Sequence, residues 1–258
     1  MLDRCREIRS NILKISHASG NGHIPTSFSI VESLVAVYST IRHDPKNPAW
    51  PERDIFILSK GHASLGLYAV MANFGYFTTD EVYAFGAYES RFGCHPDRTK
   101  VPGVEASTGS LGHGIGLAAG MALGFKIAKS PRRVVTLVGD GEANEGTVWE
   151  TALVAADCGL GNLTVIYDHN RSQTRCLQIE NPGERFAAFG WAVTEAPGHD
   201  VEALKAALGK RSDKPHVIIA KTVKGYGIKT LEDEVFAWHR RAPDAETLRK
   251  LEEELHAG

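Results

Sequence analysis

The sequence has little cysteine, no long apolar run and almost no net charge, and each of these shortages excludes a class of protein. Only four of the 258 residues are cysteine, and none of them forms a CxxC pair or a zinc-like spacing. No apolar stretch approaches the roughly 20 residues of a membrane-spanning helix, and the charged segment 1–7 lacks the apolar core of a secretion signal. A formal net charge of −2 argues against a protein that binds nucleic acid or a membrane surface. We therefore expect a cytoplasmic protein with free thiols.

Short apolar runs alternate with helical patterns along the whole chain. The hydrophobic fraction of 43% and the absence of a long linker predict a single domain over residues 1–258. The predicted strands are 54–59, 134–138, 163–167, 191–195 and 216–221. The predicted helices are 2–17, 27–41, 63–74, 111–129, 144–159, 184–189, 201–208 and 245–255, and segment 76–104 is expected to be irregular. This alternation predicts an α/β fold with a doubly wound, mainly parallel sheet flanked by helices.

Two polar turns follow two of these strands. Gly139-Asp140-Gly141 follows strand 134–138, and Asp168-His169-Asn170 follows strand 163–167. A parallel crossover through one helix over 144–159 brings both strand ends to the same edge of the sheet. Asp140 and Asn170 would then offer a carboxylate and an amide oxygen to Mg²⁺ or Ca²⁺ held with an anionic ligand. The start of that helix, near Asn144, would present free backbone N–H groups to a phosphate or diphosphate.

Further motifs occur in an order that resembles the N-terminal, diphosphate-binding half of the transketolases, which are thiamine diphosphate enzymes. These segments are 20–23, 59–63, 94–96, 108–114, 139–146, 167–170, 221–227 and 238–239. The resemblance implies the thiamine diphosphate-binding fold in its diphosphate-binding form, the PP module.

The resemblance also implies a set of site residues. The side chains of Asp140 and Asn170 and the backbone carbonyl of Ser172 would hold Mg²⁺ or Ca²⁺. The implied cofactor-binding residues are His62, Gly109, Ser110, Leu111, Gly139, Asp140, Gly141, Asp168, Asn170 and His239. The implied catalytic residues are His23, His62, His95, His239 and Glu145. Histidine suits proton transfer near neutral pH because its ordinary pKa is about 6.5. Glu145 would join a carboxylate network that crosses a subunit interface.

By the same resemblance, the protein would transfer a two-carbon ketol unit from a ketose or ketose phosphate donor to an aldose acceptor, through a carbanion and an enamine of thiamine diphosphate. The glutamate that activates the cofactor belongs to a pyrimidine-binding domain. We expect that domain on a separate C-terminal subunit, in an α2β2 assembly that acts on sugars or sugar phosphates, with no nucleic-acid or membrane partner.

Three departures from the family pattern keep alternatives open. Thr26, Thr174 and Arg240 stand close to where substrate would bind, at positions where the family usually has glycine or an Asp-Gly turn. One alternative is the α subunit of a 2-oxo acid dehydrogenase E1 component, which shares the metal motif. Another is a cofactor-binding subunit without catalytic activity. Deoxyxylulose-phosphate synthase shares several motifs, and a nicotinamide-binding protein is disfavoured because segment 109–114 lacks the GxGxxG spacing.

Overall fold

The computed structural model describes residues 2–175 and 177–257, and it has an α/β architecture. Its helices are α1 (Leu2–Ser19), α2 (Ile24–Phe28), α3 (Val31–Tyr38), α4 (Ser64–Asn73), α5 (Thr79–Val82), α6 (His113–Ile127), α7 (Gly146–Asp157), α8 (Pro182–Ala188), α9 (Val201–Gly209), α10 (Lys229–Asp233) and α11 (Ala245–Ala257). Its strands are β1 (Ile55–Leu58), β2 (Val134–Gly139), β3 (Leu163–His169), β4 (Ala192–Pro197) and β5 (His216–Lys221).

The five strands form one parallel sheet in the order β1-β2-β3-β5-β4. In the register of β2 and β3, Gly139 lies opposite Asp168. The turns that carry Asp140 and Asn170 therefore leave neighbouring strands at the same edge of the sheet, as the crossover argument predicts.

Helices cover both faces of the sheet. Val135 and Leu137 belong to a core formed with α1 to α4, α9 and α11, whereas Val134 and Val138 belong to a second core formed with α6, α7 and α8. Successive residues of a strand point to opposite faces of the sheet. Because helices cover both faces, all residues of β2 are buried and its sequence is almost entirely apolar. The prediction of a doubly wound, mainly parallel sheet is confirmed.

The predicted helix over 27–41 is two helices in the structure. α2 ends at Phe28 and α3 begins at Val31, so Ser29 lies at the break. The Ser29 hydroxyl donates to the carbonyl of Thr26 at 3.0 Å and to Oδ2 of Asp168 at 2.8 Å. The break therefore brings a side-chain donor to the end of β3, which periodicity alone does not reveal.

The predicted helix over 144–159 begins later than expected. Residues Glu142–Asn144 form a 3₁₀ turn, Glu145 has an extended backbone with ψ of 128°, and the α-helix begins at Gly146. Gly141 and Glu142, at the start of this turn, line the cavity at the ligand edge, and an anion held by the start of α7 stays a prediction.

Segment 76–104, which the sequence predicts to be irregular, contains one short helix. This helix is α5, and it starts with a capping box between Thr78 and Glu81. Cys5, Cys94 and Cys158 are free thiols as expected, and Cys176 lies outside the described residues. Within the described ranges, no helix combines the length and apolarity needed to cross a membrane.

Candidate functional site

A cavity of about 600 Å³ opens at the carboxyl edge of the sheet, beside the ends of β2 and β3. Its walls include ten of the residues implied by the resemblance: His23, His62, His95, Gly109, Leu111, Gly139, Gly141, Asn170, Ser172 and His239. Six further residues also line it: Thr26, Lys60, Glu142, Lys224, Phe236 and Arg240. The fold therefore gathers most of the predicted site from separate segments of the chain.

The three expected metal ligands meet at Ser172. The Ser172 hydroxyl donates to Oδ1 of Asp140 at 2.6 Å, and the Ser172 backbone N–H donates to Oδ1 of Asn170 at 3.0 Å. The second carboxylate oxygen of Asp140, Oδ2, is buried and has no hydrogen-bond partner within the described part of the chain. Burial raises the pKa of Asp140, an effect that the Ser172 hydrogen bond opposes and the nearby Asp168 charge reinforces.

This donor set fits a hard divalent cation. A buried carboxylate oxygen without a partner is chemically incomplete, and Mg²⁺ or Ca²⁺ binds carboxylate and amide oxygens of this kind. In residues 2–175 and 177–257 there is no cluster of three or more His, Cys, Asp or Glu residues arranged for a metal. A metal at this site would thus need oxygens from its ligand, as a diphosphate provides.

Asp168 lies behind the cavity and not in its wall. It has no exposed surface, and its Oδ2 accepts from Lys60 Nζ at 2.6 Å, Asn170 Nδ2 at 2.7 Å and Ser29 Oγ at 2.8 Å. Its Oδ1 accepts from the hydroxyl of Thr222. Direct contact of Asp168 with the cofactor stays a prediction, and in this structure Asp168 reaches the cavity through Lys60 and Asn170, which it positions.

Two buried lysines were not singled out from the sequence. Lys60 is 1% exposed, and its ammonium also contacts Oγ1 of Thr26 at 2.9 Å. Lys224 is 6% exposed, and burial, with repulsion from Lys60, lowers its pKa to about 8. Both lie inside motif segments 59–63 and 221–227, so the motifs indicate these segments but not which of their positions line the cavity.

Three histidine rings form a cluster in the cavity. The ring centroid of His23 lies 5.3 Å from that of His62 and 4.8 Å from that of His239. Burial lowers the pKa of His23 to about 4 and that of His62 to about 2, and it also lowers the pKa of His95 and His239. The four imidazoles are therefore neutral near pH 7, and Nδ1 of His23 is buried without a partner in the described residues.

Glu142 is a further residue that sequence reasoning missed. Its carboxylate is buried and accepts from Ser59 Oγ at 2.6 Å, Gly112 N–H at 2.9 Å and Gly139 N–H at 3.1 Å. Burial raises its pKa, and these hydrogen bonds oppose the rise. The residue ties the loop before α6 to the end of β2, and an acidic residue just after a strand end was its only sequence signal.

Gly109 gives the cavity a wall without a side chain. Its φ is +151°, and a Cβ there would lie 2.8 Å from the His95 ring. Any other residue would be strained at this φ, and its side chain would clash with the His95 ring, so the position requires glycine. Without a side chain, the backbone is exposed for close approach of a ligand. Ser110 and Glu145, in contrast, are exposed residues outside the cavity lining.

Comparisons with known proteins agree with this geometry. Residues 4–255 match the family described as "Transketolase, thiamine diphosphate binding domain". The chain is 37% identical to an apulose-4-phosphate transketolase subunit of Actinobacillus succinogenes, over 98% of this chain and 94% of that protein. It is 38% identical to a 6-deoxy-6-sulfo-D-fructose transketolase subunit of Clostridium sp. strain MSTE9, over 81% and 79% of the two chains.

Full-length transketolases are longer. The chain is 37% identical to mouse transketolase over 99% of its own length, but it spans 42% of that enzyme. It superposes on transketolase from Campylobacter jejuni with a TM-score of 0.90 and 30% identity, covering 99% of this chain and 42% of that one. These relatives do not favour the alternative of a 2-oxo acid dehydrogenase component. The chain belongs to the transketolase family of thiamine diphosphate-dependent transferases, and it corresponds to the N-terminal subunit of the split enzymes.

Proposed function

We propose that this chain binds the diphosphate end of thiamine diphosphate and, with a second subunit, transfers a two-carbon ketol unit from a ketose to an aldose. One observation carries the proposal. The unpaired Oδ2 of Asp140 and the side chain of Asn170 lie at the same sheet edge as the cluster of neutral histidines. A metal–diphosphate anchor beside groups able to exchange protons with sugar oxygens is the arrangement this reaction needs.

The anchor consists of oxygen donors and nearby cations. Asp140, Asn170 and the Ser172 carbonyl would hold Mg²⁺ or Ca²⁺, and the diphosphate would complete the coordination shell. Lys60 and Lys224 line the same cavity; Asp168 balances the charge of Lys60, so Lys224 is the one that would bring positive charge toward the diphosphate. The Gly109–Leu111 segment would contact the cofactor rings through its backbone.

The histidines would handle the protons of the reaction. When bound, thiamine diphosphate supplies a carbon nucleophile and an electron sink. Because their lowered pKa values keep them neutral, His23, His62, His95 and His239 can each accept a proton at one ring nitrogen while donating from the other. Nδ1 of His23 is buried and has no hydrogen-bond partner in the described residues, so a bound substrate or cofactor atom would supply the missing partner.

The surface of α6 and α7 supports an assembly with other subunits. Leu117, Leu153 and Val154 are 45%, 55% and 55% exposed on this pair of helices. Gly120 and Gly124 of α6 have open space where a Cβ would be, so another chain can approach the helix closely. We propose an α2β2 heteromer in the cytoplasm, with the activating glutamate on the partner chain and with Glu145 near the interface.

The substrate would carry a negative charge. The relatives named above act on apulose 4-phosphate and 6-deoxy-6-sulfo-D-fructose, both anionic sugars. Arg240 lines the cavity and is exposed, and no hydrogen bond or ion pair of its side chain is found in the described residues. Its guanidinium is available to a phosphate or sulfonate on the sugar.

Calorimetric titration of thiamine diphosphate with Mg²⁺ tests the cofactor assignment. The wild-type chain and the Asp140→Asn variant are compared, each alone and mixed with the candidate partner. We expect metal-dependent binding that strengthens with the partner and is lost in Asp140→Asn. No binding in any mixture would overturn the assignment.

Activity assays on the reconstituted complex separate the remaining alternatives. Ketol transfer to an aldose supports the proposal. Decarboxylation of a 2-oxo acid with an artificial electron acceptor, without ketol transfer, would indicate the dehydrogenase component. Tight cofactor binding with neither activity would indicate a non-catalytic subunit.

A further inference from the structure

A second large cavity, of about 750 Å³, lies at the opposite edge of the sheet. Asn162 and Thr164, at the amino end of β3, belong to its wall, whereas Asn170 at the carboxyl end of that strand belongs to the catalytic cavity. The two cavities are therefore separated by the length of the strand. We call this one the amino-edge cavity.

The amino-edge cavity is lined by six cationic side chains, in a chain whose net charge is −2. They come from segments near the amino ends of the strands: Arg42, Lys126, Lys129, Arg133, Lys210 and Arg211. The wall contains one carboxylate, that of Asp213. His216 also lines it, but burial lowers its pKa to about 4, so it adds no charge near neutral pH.

Four of the six cations have partners in the protein. Asp54 pairs with Arg42 at 2.9 Å and with Arg133 at 3.2 Å. The ammonium of Lys126 donates to the carbonyls of Cys158 and Gly159, and that of Lys210 donates to Oγ1 of Thr194. These contacts account for three of the cations within the protein itself. Lys126 caps the carboxyl end of α7, and Arg42 and Arg133 balance the buried carboxylate of Asp54.

The positive charges of Lys129 and Arg211 have no partner of this kind among the described residues. Within the described ranges, neither side chain makes a hydrogen bond or ion pair. Burial, with repulsion from Arg133, lowers the pKa of Arg211, and the charge of Asp54 opposes this shift. Lys129 has a φ of +52°, in the left-handed region where glycine usually ends a helix at less cost.

Helix ends do not neutralise this charge. The carboxyl ends of α6, α7 and α9 meet at this edge, and each carries about half a negative charge. Together with Asp54 and Asp213 they leave between about two and about three of the positive charges unbalanced. An anion between Lys129, Arg133 and Arg211 would supply the missing charge.

We propose that the amino-edge cavity binds a small phosphorylated anion, at a site separate from the catalytic cavity. Arginine forks and lysine ammonium groups are the side chains best suited to phosphate oxygens. The hydroxyls of Ser130 and Ser212 lie in the same wall and add donors. The volume accommodates a phosphate ester with its organic part, so a phosphorylated metabolite is the expected class of ligand.

Titration with inorganic diphosphate in metal-free buffer of fixed ionic strength tests this site. The test variant is Lys129→Glu/Arg211→Glu, whose two side chains have no hydrogen-bond or ion-pair partner to lose among the described residues. The matched control is Lys46→Glu/Lys100→Glu, which changes two lysines outside the cavity and makes the same change in net charge. Lys224→Gln reports on anion binding in the catalytic cavity.

We expect wild-type binding to weaken about tenfold or more in Lys129→Glu/Arg211→Glu and to persist in the control and in Lys224→Gln. Orthophosphate and sulfate serve as further probes: weaker binding of orthophosphate supports a diphosphate or extended ligand, and equal binding of sulfate would indicate an adventitious ion only. The proposal is overturned if wild type binds no diphosphate, if the control weakens equally, or if only Lys224→Gln loses binding.

Discussion

At the residue scale, Asp168 organises the candidate site although it has no exposed surface. Four side chains from separate segments, Ser29, Lys60, Asn170 and Thr222, donate hydrogen bonds to its carboxylate. Because Asn170 Nδ2 points to Asp168, the amide oxygen is directed the other way, toward Ser172. One buried ion pair thereby orients Asn170, the side chain that we propose as a metal ligand.

Asp168→Asn should destabilise the fold and weaken the metal site together. It leaves the buried ammonium of Lys60 without its counter-charge, and removing one partner of a buried pair costs about 3–5 kcal/mol. Urea unfolding and Mn²⁺ titration followed by electron paramagnetic resonance measure the two effects. Asp213→Asn, at an exposed aspartate, is the control and should change neither the unfolding free energy nor the binding of Mn²⁺. A wild-type unfolding free energy in Asp168→Asn would contradict the positioning role.

Thr26, a departure from the family pattern, gains a physical role from the structure. Its Oγ1 accepts from Lys60 Nζ at 2.9 Å, and its side chain is buried. Thr26→Val keeps the shape but removes the acceptor, so we expect a loss of about 1–2 kcal/mol in unfolding free energy and weaker diphosphate binding. Thr26→Ser retains the hydroxyl and should recover most of both. Equal unfolding free energies and equal diphosphate binding in Thr26→Val and Thr26→Ser would show that the Thr26 hydroxyl contributes to neither.

At the scale of elements, α6 and α7 present an apolar face that nothing in the described part of this chain covers. Leu153 and Val154 of α7 and Leu117 of α6 are about half exposed, beside glycines with no neighbour at the Cβ position. Exposed apolar groups that lie together in this way mark contact surfaces.

Leu153→Glu should leave the isolated chain stable and impair its assembly. Surface substitutions usually change the unfolding free energy by less than about 0.5 kcal/mol, whereas a buried, unpaired carboxylate in an interface costs several times more. Sedimentation velocity of the chain with its candidate partner measures the effect. Ile127→Glu, at the far end of α6 where the side chain is 73% exposed, is the matched control. If both variants assemble like wild type, this face is not the interface.

At the scale of the whole molecule, buried neutral histidines make the fold sensitive to acid. Burial lowers the pKa to about 4 in His23, about 2 in His62 and about 4 in His216, from an ordinary value near 6.5. Between the folded and unfolded pKa values the unfolded chain binds more protons than the folded one. Stability should therefore be complete above about pH 6.5 and fall as the pH decreases below it.

His216→Gln should reduce this dependence. Each such histidine contributes at most about 1.4 kcal/mol per pH unit, so the difference in unfolding free energy between about pH 7 and about pH 5 should shrink measurably in the variant. Urea unfolding at both pH values gives the comparison, and His256→Gln, at an exposed histidine, is the control. An unchanged difference would mean that His216 is not neutral in the folded protein.

The local sequence pattern was sufficient to predict much of the fold and part of the candidate site. Apolar runs that end in Asp140 and Asn170, with one helix between them, predicted a parallel sheet and a shared ligand edge, because parallel crossovers leave few other arrangements. The motif segments likewise predicted the four histidines, and three of their rings do cluster in the cavity. These features depend on chain order and strand periodicity, which the sequence carries directly.

Only the tertiary structure decided which polar groups face the cavity and which support it from behind. Asp168 and Glu142 are both acidic residues near strand ends, and nothing in their local sequence shows that one orients Asn170 and the other holds the loop before α6. The break at Ser29 and the convergence of cations at the amino-edge cavity likewise depend on segments distant in sequence. Burial and hydrogen-bond pairing are properties of how segments meet, so periodicity and motif spacing cannot determine them.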